Sequence, residues 1–396
     1  MQPQPDHAAA EQPQQQSLLQ RAALTLLSAA VAAVPLTAAP ALLPSPPPSA
    51  HALLTAGDPI KNAQAILRYA LPIDCKPIRS VQKELESISD ALRIPGSKSL
   101  GPISRAVRSA TGTVTSQRSA ILAAVAPSKK ADGEAALAQL ERALAEFSDL
   151  IEAKDKQAVP IKQRECLDYV GRLEESMVSK FPFEIPAEYS KRPLLKGRAT
   201  LEMKVDLSET PEGPKPSILT IVLDGYNAPV SAGQFLDLVE RGFYDGMDIQ
   251  RADGFVVQTG DPEGEPDGFV DPASGEVRRV PMEIRVAGDK DPVPVYEINL
   301  EDLGRFNEQP VLPFNAYGTL AWARGEFDNN SASSQVFFLL KESELTPSGA
   351  NLLDGRYAVF GYAVEGQDAL GLMRVGDKIE YIKVLSGAEN LVNGYK

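Results

Sequence analysis

Histidine is almost missing from this sequence. Among 396 residues only His7 and His51 occur, and both precede any stretch that reads as folded. Their absence downstream excludes Ser-His-Asp and Cys-His catalysis and most zinc sites. Proton transfer near neutral pH would fall to a shifted carboxylate, lysine or cysteine. Cysteine is equally scarce, with Cys75 and Cys166 alone, so no disulfide framework holds the fold. The two either form one bridge in an oxidising compartment or stand as ordinary buried thiols. Positive charge is in deficit as well. A net charge of −13 argues against a nucleic-acid partner, which requires a basic footprint.

Apolar runs long enough to span a membrane are also lacking. The stretch Ala22 to Val34, behind Arg21, is too short. A Pro/Ala/Ser tract follows it and ends in Ala50-His51-Ala52. An apolar core before a small-x-small end is the pattern of a cleaved targeting segment. Residues 1–52 therefore read as a targeting leader, removed or disordered, ahead of a soluble mature chain.

The remainder divides in two, as its length suggests. Residues 53–181 carry helical periodicity. Ile78, Val81, Leu85, Ile88 and Leu92 form one stripe, stopped by Pro95-Gly96. Ile103, Val107, Ala110, Val114, Gln117, Ile121 and Val125 form a second, ending before Pro127. Leu137, Leu140, Leu144, Phe147 and Ile151 follow Asp132-Gly133, and Leu167, Val170, Leu173, Met177 and Phe181 follow Pro160. Four amphipathic stripes with short breaks predict an up-and-down helical bundle. Residues 182–197, with Pro182, Pro186 and Pro193, read as a semi-rigid linker.

From 198 to 396 the period changes to two. Leu201, Met203, Val205 and Leu207 alternate with charged residues, and Ile218 to Leu223 forms a more buried strand. Ser231 opens a helix that Gly242 stops. Further strands are expected at 255–258, 318–323, 335–340, 357–360 and 379–384. Short strands with turn signals and few helices predict a closed antiparallel β-barrel. The acidic insert Asp261 to Pro313 folds over either the barrel or the bundle.

Chemistry concentrates in three segments: Ile249 to Asp261, Ser334 to Phe338, and Leu353 to Gly361. One arginine, one glutamine and several phenylalanines on apolar strands make a half-apolar pocket with a cation and an amide at its edge. Such a surface suits a proline ring beside a peptide bond and does not suit phosphate, metal or nucleic acid. Asp261, Glu263, Glu265 and Asp267 are spaced like an acidic cation loop, but Pro262 and Pro266 interrupt them, which favours a solvated loop. No metal and no cofactor are implied.

These segments, with Asn227-Ala228-Pro229 and Phe243-Tyr244-Asp245-Gly246, occur in the order and spacing of the cyclophilins, which the sequence resembles over residues 200–385. The acidic helical half joined to this part is similar to the large cyclophilins of the plant and algal thylakoid lumen. Arg68-Tyr69-Ala70-Leu71-Pro72-Ile73-Asp74, Pro193 to Ala199 and Val256 to Gly264 carry that likeness. The resemblance implies a peptidyl-prolyl cis-trans isomerase and folding factor of the thylakoid lumen that assists photosystem II assembly. Its partners would be proline-containing loops of photosystem II core subunits, and an intramolecular contact between bundle and barrel is expected.

The residue roles follow from the resemblance. Rotation about an Xaa-Pro bond is slow because amide resonance sets a barrier near ~20 kcal/mol. An arginine donating toward the proline nitrogen favours the twisted state without proton transfer, and Arg251 holds that catalytic position. Phe255 and Phe337 wall the proline pocket, Gln258 meets the substrate backbone and Leu353 forms the rim. Trp322 and Tyr357 complete the substrate surface, where the family more often has methionine and histidine. Gln250 stands in place of a histidine, Arg324 in place of an asparagine, and Leu352 in place of a tryptophan whose loss predicts poor cyclosporin binding. The spacing Arg251-Ala252-Asp253-Gly254-Phe255 is one residue shorter than usual. Together these departures predict weak catalysis. The alternative is a non-catalytic, peptide-binding assembly chaperone regulated by its helical domain.

Overall fold

The computed structural model describes residues 59–93, 100–264, 267–342 and 351–395. The expected leader and the Pro95-Gly96 stop lie outside them. Seven α-helices are found among the described residues: α1 Ala63–Ala70, α2 Lys76–Arg93, α3 Gly101–Ser116, α4 Arg118–Ala123, α5 Lys130–Glu152, α6 Val159–Met177 and α7 Pro229–Glu240. Four of them, α2, α3, α5 and α6, pack around one core in which α2 meets α3 and α6, and α5 meets the same two. The second stripe is broken at Gln117, where φ −109° and ψ 16° leave the helical region. The Asp132-Gly133 pair lies inside α5 rather than before it. A Cβ at Gly133 would sit 2.7 Å from both Val125 methyls, so glycine lets the first turn of α5 approach the end of the preceding segment. Phe181 falls beyond α6 and packs on Phe183, with ring centroids 4.8 Å apart.

The first helix behaves differently. Asn62 caps α1 by accepting from Ala65 N at 2.9 Å. Its apolar face, Ala63, Ile66, Leu67 and Ala70, is buried in the core of the strand half.

Twelve strands are found among the described residues: β1 Leu194–Leu195, β2 Arg198–Leu207, β3 Lys215–Asp224, β4 Ile249–Ala252, β5 Val256–Thr259, β6 Glu283–Ile284, β7 Val295–Tyr296, β8 Thr319–Trp322, β9 Val336–Leu339, β10 Val359–Glu365, β11 Lys378–Ser386 and β12 Leu391–Val392. Eight form one antiparallel sheet in the order β11-β2-β3-β10-β8-β9-β5-β4. This ladder is open between β4 and β11, unlike the closed barrel that the turn spacing predicts. Across the gap stand one bridge, Asp248 to Lys378, and main-chain bonds such as Ile249 N to Asp377 O at 2.8 Å. Helix α7 contributes Phe235 to the main core, beside Tyr244, Trp322 and Phe360.

The insert folds onto the strand half. Its pair β6–β7 carries a small apolar cluster of Met282, Ile284, Val286 and Leu300. Buried Glu283 accepts from Val230 N at 3.2 Å and Ser231 N at 2.7 Å, the free N–H groups of the first turn of α7. That helix begins at Pro229, and its cap comes from this carboxylate rather than from Ser231.

The helical and strand halves meet at Arg198 on β2. Its guanidinium pairs with Asp224 at 2.7 Å and with Glu175 of α6 at 3.1 Å, and donates to Leu67 O of α1. Asn227 Nδ2 donates to Ala70 O at 3.0 Å. Both cysteine thiols are buried and free. Among the described residues no helix is long and apolar enough to cross a membrane.

Candidate functional site

A cleft of about 500 Å³ opens on the outer face of strands β4, β5, β9 and β8. Strand register places its floor. Arg251 lies opposite Gln258, Gln258 opposite Phe337, and Phe337 opposite Ala321. Directly opposed residues share a face of a sheet, so this row points one way. Residues one step along point the other way: Val257 faces Phe338, Phe338 faces Leu320, and Trp322 faces Val336. All of that second row is buried in the core.

The alternation sorts the expected residues. Arg251, Phe255, Gln258, Phe337, Leu353 and Tyr357 are brought together in the cleft wall. Trp322 is not. It is 2% exposed and packs on Phe235 and Phe360, so its assignment to the substrate surface is corrected to the core. The parity of its strand, with Ala323 lining the cleft, is the sequence signal that would have shown this.

The apolar end of the cleft is rigidly backed. Phe337 stacks on Phe314 at 5.9 Å with ring planes 5° apart, and Tyr357 meets Phe337 edge-on at 5.6 Å. Phe314 is held by Asp354, whose Oδ1 accepts from Phe314 N at 2.7 Å and whose Oδ2 accepts from Asn351 N at 3.1 Å. Burial pushes the Asp354 carboxyl up to about 6 against the pull of those two N–H groups. Phe314 carries no sequence signal of its own, because it reaches the site only through this loop. Phe255, 42% exposed, stands at the open side. At the polar end Gln258 donates to Gln335 at 2.8 Å, and Gln335 donates to Asp267 of the insert at 2.7 Å.

Arg251 stands at the rim with its side chain 52% exposed. The shortened turn determines where its charge is held. Asp253 Oδ2 accepts from Arg251 Nε at 2.7 Å and pairs with Nη2 at 2.5 Å. Its Oδ1 accepts from Phe255 N and Val256 N, both at 2.9 Å. The Val256 N–H first, then the Phe255 N–H and Arg251, draw the carboxyl down to about 2. Gly254 has φ 76°, the positive value that a two-residue hairpin turn of this kind gives to its first central residue. Gln250 Nε2 donates to Asp261 O at 2.9 Å, while its Oε1 is buried without a partner. Leu352 is 84% exposed beside the rim.

Comparison with known proteins fits this geometry. The family model for cyclophilin-type peptidyl-prolyl cis-trans isomerases matches residues 209–385. That for the PsbQ-like domain of CYP38-like peptidyl-prolyl cis-trans isomerases matches residues 62–178. The chain is 54% identical over 357 residues to the chloroplastic peptidyl-prolyl cis-trans isomerase CYP38 of Arabidopsis thaliana, an alignment covering 88% of this chain and 81% of that protein. The chain belongs to the cyclophilin-type peptidyl-prolyl cis-trans isomerases. It is also 46% identical over 353 residues to a Synechocystis protein named for the thylakoid lumen, covering 89% of each. The Arabidopsis chloroplastic isomerase CYP37 is 29% identical, with 84% of this chain and 71% of that protein covered. In this cyclophilin the insert adds Asp267, Gly268 and Arg279 to the cleft, and the segment after β8 adds Arg324. Sequence reasoning did not place Asp267, Gly268 or Arg279 there, because the insert's packing is set by contacts far along the chain.

Proposed function

We propose that the cleft binds an Xaa-Pro segment of a protein loop and accelerates its cis/trans interconversion weakly. The observation that carries this reading is the single wall formed by Arg251, Phe255, Gln258, Phe337, Leu353 and Tyr357. A proline ring finds an apolar seat on Phe337, backed by Phe314, while Gln258 offers an amide to the substrate main chain. Arg251 then donates toward the proline nitrogen as it becomes pyramidal, an interaction made only in the transition state. The bridge and main-chain bonds between β4 and β11 support a barrel that acts as closed, with the cleft on a fixed wall. Weak catalysis follows from the Asp253 tether, which competes with substrate for the guanidinium. The compartment we propose is the thylakoid lumen of a chloroplast, with loops of photosystem II core subunits as clients. The names of the related proteins and the joined helical half support it.

Exchange NMR of an Ala-Pro peptide with the full chain tests this. Exchange that rises with protein and falls at least tenfold in Arg251→Ala supports the assignment. Unchanged exchange in that variant removes Arg251 from the chemistry. The tether also favours a second reading, a chaperone that grips proline loops without turning them over. Peptide shifts on binding with no faster exchange would establish that reading.

A further inference from the structure

The cleft holds two arginine charges that proline isomerisation does not use. Arg279 comes from the insert and Arg324 from the segment after β8, and both line the cleft beside Gly325 and Ser331. Arg279 Nη1 donates to Ser331 O at 2.6 Å. Arg324 donates through Nε and Nη2 to Arg356 O at 3.0 and 2.9 Å, and through Nη1 to Gly325 O at 2.8 Å and Glu326 O at 3.1 Å. Its guanidinium also lies 4.8 Å from the centre of the Tyr357 ring. Gly325 N donates to Ser331 Oγ at 2.7 Å, so one loop orients both arginines.

Carbonyls and a ring orient a cation without neutralising it. Among the described residues neither arginine has a carboxylate within ion-pair distance, whereas Arg198, Arg251, Arg278 and Arg305 all do. In a chain of net charge −13, two unneutralised guanidiniums at one cleft stand out against the surrounding field. Asp267 also lines the cleft and, among the described residues, is hydrogen-bonded only to the neutral amide of Gln335, so the two guanidiniums stand against one carboxylate. Glu326 and Asp328, on the same loop as Arg324, are not among the lining residues.

We propose that this cleft selects proline segments carrying a negatively charged side chain close to the proline, with Arg279 and Arg324 as the specificity residues. The inference rests on the cleft being the Xaa-Pro site and names the substrate class it prefers. Arginine held in place by carbonyls meets an anionic group with charge-assisted hydrogen bonds and little further ordering. Both arginines remain in reach of water, so the preference is modest, about three- to fivefold, and shrinks as salt is raised.

The test titrates the full chain with matched Ala-Pro peptides that carry Glu, phosphoserine, Gln or Lys one or two residues to either side of the proline. Glu and phosphoserine peptides binding tighter than Gln, and Gln tighter than Lys, support the proposal; the ratio of the two acidic peptides separates phosphate from carboxylate preference. Arg279→Glu is expected to invert the ranking of Glu and Lys peptides, an outcome that an unfolded variant cannot produce. Should Arg279→Glu fail to fold, Arg279→Gln is expected to halve or better the Glu-over-Lys ratio, and an unchanged ratio overturns the role of Arg279. Equal affinity for Glu, Gln and Lys peptides overturns the selectivity and leaves the proline site standing. Absence of binding by every peptide overturns the proline site and this inference together.

Discussion

At the tip of the β4–β5 hairpin the Asp253 carboxylate fastens a turn with one oxygen and holds Arg251 with the other. The first role needs only an acceptor, and the second needs a charge. Asp253→Asn separates them, because an amide oxygen still accepts from Phe255 N and Val256 N. The variant is expected to keep its fold and to raise kcat/KM for an Ala-Pro peptide about three- to tenfold, since a freed arginine spends more time aimed at the substrate. A rate no higher than the wild type would mean that the tether is not what limits catalysis. The cleft residues differ in how far the sequence reveals them. Arg251, Phe255 and Gln258 are legible because they sit close together in a recognisable order on the β4–β5 hairpin, and Phe337 because the separate segment Ser334 to Phe338 carries its own recognisable order. Trp322 misleads because its place in a motif says nothing of the two-residue alternation of its strand, which turns it inward. Arg279 and Asp267 are invisible because the insert reaches the cleft by contacts between residues some fifty positions apart, such as Arg279 to Ser331.

Among the elements, α7 shows how the insert supports the fold it interrupts. Its N-cap position is Ala228, which has no side-chain acceptor, so the first turn relies on Glu283 of β6. The same carboxylate accepts from Tyr296 Oη of β7 at 2.8 Å, locking the insert's small sheet to the helix. Removing it leaves buried N–H groups without partners, each worth about 1–3 kcal/mol. Glu283→Ala is therefore expected to lower the urea midpoint clearly, with a loss of about 2–4 kcal/mol. Glu283→Gln, which keeps one acceptor but loses the charge beside the helix N-terminus, should lose less. Equal losses would show that charge, not hydrogen bonding, holds the turn. Periodicity finds α7 but not its burial on every side, since Ser231, Gln234 and Asp237 are buried along with Phe235, Leu236 and Val239. It cannot find the cap, because Ser231 is a good local candidate and the actual acceptor lies 52 residues away.

For the whole molecule, the decisive place is the joint where α6 presents two consecutive glutamates to different partners. Glu175 pairs with Arg198 of the strand half. Glu174 is fully buried and lies 3.2 Å from Arg79, while its second oxygen has no partner. Arg79 in turn donates to Arg68 O at 2.7 Å and Leu71 O at 2.8 Å, the carbonyls at the end of α1, whose other face lies in the strand-half core. Arg79, braced by Glu174, thus ties the helical bundle to the helix that is seated on the sheet, alongside the direct pair of Arg68 on α1 with Glu86 on α2 at 3.1 Å. Burial outweighs the attraction of Arg79 and pushes the Glu174 carboxyl up to about 8. The sign follows directly. Between an ordinary glutamate value near ~4.3 and about 8, the folded chain keeps a proton that the unfolded chain has released. Stability must therefore fall as pH rises through that window. Each pH unit inside it costs about 1.4 kcal/mol at most, so the loss by pH 8 amounts to a few kcal/mol. Glu174→Gln removes this titration and keeps a neutral side chain of the same shape. Other groups with raised values, Asp354 among them, titrate alike in both proteins and cancel in the difference. Urea unfolding at pH 5, 6.5 and 8 should show the variant gaining on the wild type at each step. If the two instead run parallel, Glu174 is ionised at neutrality and the Arg79 contact is stronger than its burial. The joint would then be an intact buried salt bridge, and removing either partner would cost about 3–5 kcal/mol.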